Sequence, residues 1–248
     1  MKNLIAAALL VAAPMAAPVA AYAQDRVFSI DAGLGVSVSP TYPGSDEVEA
    51  GPWLLWRNAV FNATGEKGVP GDGFSISPSF GLVGERNEDD DDALAGLNQI
   101  DRAYELGGRA SYRSGPVTGY LSLRKGFGGH HGITGEAGVK YRTDASDRLS
   151  LWSGLELGYG NGEYNQTYFG VTAAESAASG YAAYDLGGGI NKVSAKLEAR
   201  YSLSDNTALL GEVEYGRIVG DAADSPIVQD RDQPAVRLGI VRNFSFGF

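Results

Sequence analysis

The sequence predicts an all-β fold: a transmembrane antiparallel up-and-down β-barrel of ten strands, with twelve as the alternative count. Apolar and polar residues alternate with period two along most of the chain. The alternating segments run about 10–13 residues, the length of a tilted membrane strand rather than of a soluble one. Beyond the N-terminal leader no stretch of 18 apolar residues follows, so any spanning element must be a strand in a closed barrel.

The leader is read first. Lys2 supplies a positive start, residues 4–11 form a short apolar run, and Ala21-Tyr22-Ala23 offers a small-residue cleavage site. Residues 1–23 are expected to be a signal peptide, and 24–248 the barrel domain. With 0 Cys, the chain has no disulfide framework, no thiolate metal site and no lipoprotein anchor. Its formal charge of −10 sets nucleic-acid binding aside, because phosphates reward clustered Lys and Arg.

The strands follow in order. Over 27–38, Phe28, Ile30, Ala32, Leu34, Val36 and Val38 oppose Ser29, Asp31 and Ser37. Weaker alternation marks 52–62 and 74–83. Over 103–113, Tyr104, Leu106, Ala110 and Tyr112 oppose Glu105, Arg109, Ser111 and Arg113. A weaker pattern at 117–127 leads to 132–142, where Val139 and Tyr141 oppose Glu136, Lys140 and Arg142. Over 148–159, Leu151, Leu155 and Leu157 oppose Ser150, Trp152 and Glu156. The cleanest segment is 193–203, with Val193, Ala195, Leu197 and Tyr201 against Ser194, Lys196, Glu198 and Arg200. Weaker strands at 207–219 and 235–248 complete ten. The last ends Phe244-Ser245-Phe246-Gly247-Phe248, which resembles the C-terminal signal of outer-membrane barrels.

Loop lengths agree with a barrel whose N-terminus lies in the periplasm. Connections at 39–51, 85–102, 128–131, 160–180 and 220–234 are the expected external loops. Those at 114–116, 143–147 and 204–206 are short, as periplasmic turns are. Only 63–73 is long on that side. Two residues fit badly: Arg217 and Arg242 share the lipid-facing parity, where a midplane Arg costs about 2–4 kcal/mol. A bulge or snorkelling would relieve either.

The expected lumen row contains Asp31, Glu105, Arg109, Arg113, Arg124, Glu136, Lys140, Arg142, Glu156, Lys196, Glu198, Arg200, Glu212 and Glu214. Two readings stay open: a selectivity lining for a small pore, or a salt-bridged core that plugs a narrow barrel. Elsewhere the acidic run 88–92 lacks the spacing of a calcium loop, and is read as a solvated loop. The pair His130-His131 has no third metal ligand in view. Asn165-Gln166-Thr167 matches a glycosylation sequon that a bacterial barrel does not use. Gly187-Gly188-Gly189 lacks the strand–helix context of a phosphate loop. No catalytic, cofactor or metal site is expected, and no enzyme.

Several strings carry more than periodicity. Residues 220–228 read Gly-Asp-Ala-Ala-Asp-Ser-Pro-Ile-Val, and 40–46 read Pro-Thr-Tyr-Pro-Gly-Ser-Asp. Arg86 precedes Leu94-Ala95-Gly96-Leu97 and Ile100-Asp101, and Tyr168-Phe169-Gly170-Val171 follows later. Together, in this order, they resemble the MipA/OmpV family of outer-membrane proteins. The resemblance implies an outer-membrane barrel in contact with lipid and lipopolysaccharide. It also implies a scaffold joining a murein transglycosylase to a peptidoglycan synthase; adhesin and osmotically regulated surface roles are its alternatives. It brings no catalytic residues. In the first string Gly220 and Pro226 are expected to bound a turn, with Asp221, Asp224 and Ser225 capping backbone groups.

Overall fold

The computed structural model describes residues 27–62 and 71–247; the expected signal segment, and residues 63–70 of the long periplasmic connection, lie outside them. Ten strands form one antiparallel sheet: β1 (Val27–Pro40), β2 (Val48–Asn62), β3 (Gly73–Val83), β4 (Ala103–Ser114), β5 (Val117–Gly128), β6 (Ile133–Asp144), β7 (Leu149–Gly160), β8 (Gly189–Ser204), β9 (Thr207–Ile218) and β10 (Asp232–Gly247). No helix among the described residues is long and apolar enough to cross a membrane. Each expected strand has its counterpart. β2, β8 and β10 begin a few residues earlier than the alternation indicates.

The sheet is ordered β2-β1-β10-β9-β8-β7-β6-β5-β4-β3. Its first and last strands by sequence are therefore neighbours: β1 pairs with β10 from Val27↔Gly247 to Val38↔Val236. The aromatic C-terminal strand closes on the N-terminal one, and the rings of Phe28 and Phe246 stack at 6.3 Å. One departure from simple up-and-down pairing appears. β2 and β3 are the two edges of the sheet, and no ladder joins them. These are the strands carrying proline well inside their length, Pro52 and Pro78. Proline has no N–H to give a ladder and belongs on edges.

Alternation sorts the two faces. Outward along β10 stand Val236, Leu238, Ile240, Phe244 and Phe246, all exposed; along β1, Leu34, Val36 and Val38 do the same. Such a continuous apolar exterior belongs to a barrel in the outer membrane. The two awkward arginines sit at its ends. Arg217 is level with Asp232 at the external rim and binds its carboxylate at 2.5 Å. Arg242 is level with Thr207, the first residue after the periplasmic β8–β9 turn, so its guanidinium reaches the headgroups. No bulge is needed for either.

Helices appear where period two predicts none. In the loop 161–188, α1 (Gly162–Phe169) starts at Asn161, whose side chain accepts from the Tyr164 N–H. α2 (Ala173–Ser179) starts at a full capping box, Thr172 with Glu175, and ends at Gly180 in the left-handed conformation.

Closure between β1 and β10 is tight enough to need glycine. A β-carbon on Gly33 would run into the Ile240 carbonyl, and one on Gly35 into that of Leu238. Substituting Gly33→Val therefore forces the closing pair apart, at a cost of at least about 1–3 kcal/mol. We expect loss of the compact, heat-modifiable band on unboiled gels; an unchanged folded yield would contradict it.

Candidate functional site

The inward faces surround a cavity of about 1120 Å³. All fourteen residues of the expected lumen row line it, from Asp31 on β1 to Glu214 on β9. Arg57, Lys192 and Arg237 join them. Arg57 is hidden in the sequence because its inward neighbours Trp53 and Leu55 are apolar and blur the alternation. Lys192 lies beyond the expected start of its strand, where Asn191 is the extra residue of a bulge opposite Gly158 and Tyr159. Arg237 alternates with outward Val236 and Leu238 and was legible.

The charges interlock. Arg57 reaches from β2 over to Glu198 on β8, and to Glu212 on β9 at 2.9 Å. Arg200 crosses from β8 to Asp31 on β1 at 2.9 Å, where Asn243 also donates. Arg237 bridges Glu212 at 2.5 Å and Glu214 at 2.8 Å, and Lys192 adds a contact to Glu214 at 2.7 Å. On the other side Arg124 ties Glu105 at 2.8 Å to Glu136 at 2.6 Å, while Arg109 meets Glu136 at 3.0 Å. Lys196 and the Tyr120 hydroxyl share Glu156. Arg57 and Arg200 tie separated stretches of the wall together, the other pairs link neighbouring or next-but-one strands, and space remains between them. The arrangement is neither a solid plug nor an unobstructed bore.

The ends of the cavity differ. Its lower lining includes the turn residues Asp147, Arg148, Asp205 and Asn206, so it reaches the periplasmic turns. Its upper lining stops at Tyr159, Tyr164 and Asn191. Above these, the external loops fold into a cap with two apolar clusters. One gathers Ile100, Tyr168, Phe169, Leu186, Ile218 and Ala222; the other Tyr42, Leu94, Leu97, Val171 and Ile227.

The strings singled out in the sequence converge on this cap. Arg86 donates to the Tyr168 carbonyl at 3.2 Å, and Tyr42 Oη to that of Ile227 at 3.1 Å. Ser45 Oγ donates to Asp91 at 2.8 Å, and Asp91 in turn caps the 3₁₀ turn Asp92–Leu94. Gly44, at φ 106°, leaves room for Val228, while its carbonyl accepts the Gln229 and Asp230 N–H groups. Gly96, at φ 77°, lets the chain approach the Ala178 backbone. Of the three side chains expected to cap backbone near residue 220, Ser225 does so: its Oγ donates to the Phe169 carbonyl at 2.5 Å. Asp224 instead pairs with Arg231 at 2.9 Å, and Asp221 offers its carbonyl to the Tyr184 hydroxyl. Gly220 takes the positive φ of 64° and Pro226 follows as the chain leaves the turn.

His130 is the seam between cap and lumen. Its ring is fully buried edge-on to Tyr164 at 5.1 Å and Tyr168 at 5.5 Å, and its Nε2 lies 3.3 Å from Glu105. Burial pushes both tyrosine hydroxyls up, which keeps them neutral. His131 is exposed, and no group of three or more His, Asp or Glu among the described residues is placed to hold a metal ion.

A protein-family model described as MltA-interacting protein MipA matches residues 32–244. No curated protein matches the chain. Among solved structures, similarity extends to an outer membrane channel from Pseudomonas putida F1, at 11% identity over 89% of this chain and 96% of that one, TM-score 0.47. It also extends to a KdgM porin in complex with disordered oligogalacturonate, at 14% identity over 89% and 99%, TM-score 0.39. The N-terminal β-barrel domain of Pseudomonas aeruginosa OprF gives 14% identity over 71% and 100%, TM-score 0.34.

Two expectations follow for the cap. Ser225→Ala strands the buried Phe169 carbonyl, at about 1–3 kcal/mol, so limited proteolysis of intact cells should cut the external loops faster; an unchanged rate would contradict the interlock. Glu175 gives the pH response. Burial alone would raise its pKa, but N–H groups of Thr172 and Asn98 and the Thr172 hydroxyl hold it below the ordinary glutamate value. A lowered folded pKa stabilises at neutral pH, and that contribution fades as pH falls through it. The protection factor of the Asn98 amide, its exchange rate relative to an unstructured amide at the same pH, should therefore fall on acidification below the ordinary glutamate range, and Glu175→Gln should remove that dependence. A pH-independent protection factor in the parent chain would count against it.

Proposed function

The chain belongs to the MltA-interacting protein MipA family, and from that premise we propose a non-enzymatic outer-membrane docking protein for murein-processing enzymes. Its partners on this reading are a murein transglycosylase and a peptidoglycan synthase, met at the periplasmic end of the barrel. The family description supports the first partner. The observation that carries the orientation is the cap: most of its polar groups and both apolar clusters are spent on one another, whereas the described turns at the other end frame a charged mouth.

The barrel supplies position rather than chemistry. Its carboxylates are engaged by arginine and lysine on neighbouring and facing strands, which suits a rigid frame and leaves no acid–base pair poised on a reacting atom. A second reading, a narrow channel for small solutes, is favoured by the cavity volume and its polar lining. The cap that roofs the cavity opposes free flow. An adhesin acting through the external loops would use the outer surface of the same cap.

Capture decides between them. Detergent-solubilised full-length chain should retain a purified lytic murein transglycosylase and a peptidoglycan synthase together. Exchange of residues 63–73 for a two-residue turn should reduce retention by about tenfold, the loss of one strong interface contact. Retention no greater than that by an unrelated barrel would overturn the proposal.

A further inference from the structure

The wall of the lumen is interrupted in its side. Along most of the cavity the wall consists of inward-facing groups, with Ile30, Gly135 and Tyr159 as exceptions. At the junction of β2 and β3 both parities line it: inward Trp53, Leu55 and Ser77, and outward Leu54, Trp56 and Ile76. The lipid-facing surface and the lumen are continuous there because no ladder joins the two strands. A free edge at membrane depth is tolerated where it lines a water-filled cavity, and the row Ser75, Ser77, Ser79 keeps the β3 side polar.

Two occupants could use such a seam, a strand from another chain or a ligand from the bilayer. Strand addition needs an unbroken row of N–H donors. Pro52 and Pro78 interrupt that row on both edges, a device that protects edges from strand pairing. A ligand must match what lies on either side. Outside is hydrocarbon surface. Just inside, Trp53 and buried Leu55 extend that apolar path to Arg57, which lies over the Trp53 ring at 5.6 Å.

Beyond Arg57 the lining carries a small excess of basic residues. The cavity lining holds eleven basic against nine acidic residues among those described, in a chain whose formal charge is −10. Lys140 concentrates the excess. It has no carboxylate within ion-pair distance among the described residues, and it lies within the field of the Glu198 carboxylate as well as those of Arg57, Arg109 and Lys196. Its ammonium faces the Tyr120 ring at 5.7 Å. One cation with no direct carboxylate partner, at the end of an apolar path, fits one negative charge at the end of a chain.

From these observations we infer that the β2–β3 seam is a lateral portal through which a long-chain carboxylate enters the lumen from the bilayer. Its acyl chain lies in the seam against Leu54, Trp53 and Leu55, and its headgroup meets Lys140. This inference stands apart from the docking reading, since either can fail without the other.

The chain's 3 Trp allow a direct test, because they sit outside the seam (Trp56), inside it (Trp53) and on the opposite wall (Trp152). Three full-length variants, each keeping one tryptophan with Phe at the other two positions, are refolded into phosphatidylcholine vesicles. Each is titrated with a C18 carboxylate brominated at mid-chain, and with the matching brominated alcohol. Bromine quenches indole only near contact. Trp53 should be quenched by the carboxylate at about tenfold lower concentration than by the alcohol, as one charge-assisted contact implies. Lys140→Met should abolish that preference and Lys140→Arg should keep it, with folding followed by heat-modifiability. Trp152 should stay bright. If Trp56 is quenched while Trp53 is not, the seam is shut in the bilayer and the portal is wrong. Equal quenching of Trp53 and Trp152 would mean entry through the end of the barrel, and equal response to acid and alcohol would remove the headgroup site; either result overturns the inference.

Discussion

Everything in this molecule answers to one constraint: backbone N–H and C=O groups at membrane depth must find partners within the protein or in water it encloses. The sheet meets that constraint from β2 round to β3, with β10 joined to β1 over a register from Val27↔Gly247 to Val38↔Val236, and leaves the β2 and β3 edges beside the water of the cavity. Once it wraps, side chains of alternate parity are separated for good. Leucine, valine and aromatic rings face the acyl chains, and arginine and glutamate face one another. The charged interior follows from that geometry, since side chains turned away from lipid can be polar and most of them pair with one another.

The external cap solves a second problem. Long loops lose conformational entropy when they order, and these loops order by locking together at points that only particular residues satisfy. Arg86 holds a carbonyl on α1, Ser225 holds the next one, and Gly44 and Gly96 permit backbone to touch neighbouring chain. The strings that mark the family are therefore the joints of the cap, while the strands beneath need only alternate.

Most of the fold was legible in sequence because period two is a direct consequence of lipid on one side and lumen on the other. Strand number and the antiparallel succession of neighbours other than β2 and β3 followed from it, and the fourteen charged positions of the expected row face the cavity. Three things were not legible, for separate reasons. Arg57 sits in an inward row that is apolar at Trp53 and Leu55, so parity gave no contrast. The helices at Asn161 and Thr172 are too short to show a helical period, although the Thr172–Glu175 capping box was there to be read. The missing β2–β3 ladder depends on non-local pairing, and its one trace in the sequence is the pair of prolines at 52 and 78.

The central claim is that odd residues of β8 meet lipid and even residues meet the lumen. Nitroxide labels placed singly at each position from 193 to 203, in the protein reconstituted into vesicles, measure it through collision with oxygen and with a polar nickel chelate. Oxygen accessibility should peak at 193, 195, 197, 199, 201 and 203 and fall at every position between. A profile without that two-residue period, or with uniform exposure to the nickel chelate on both sets, would contradict the account.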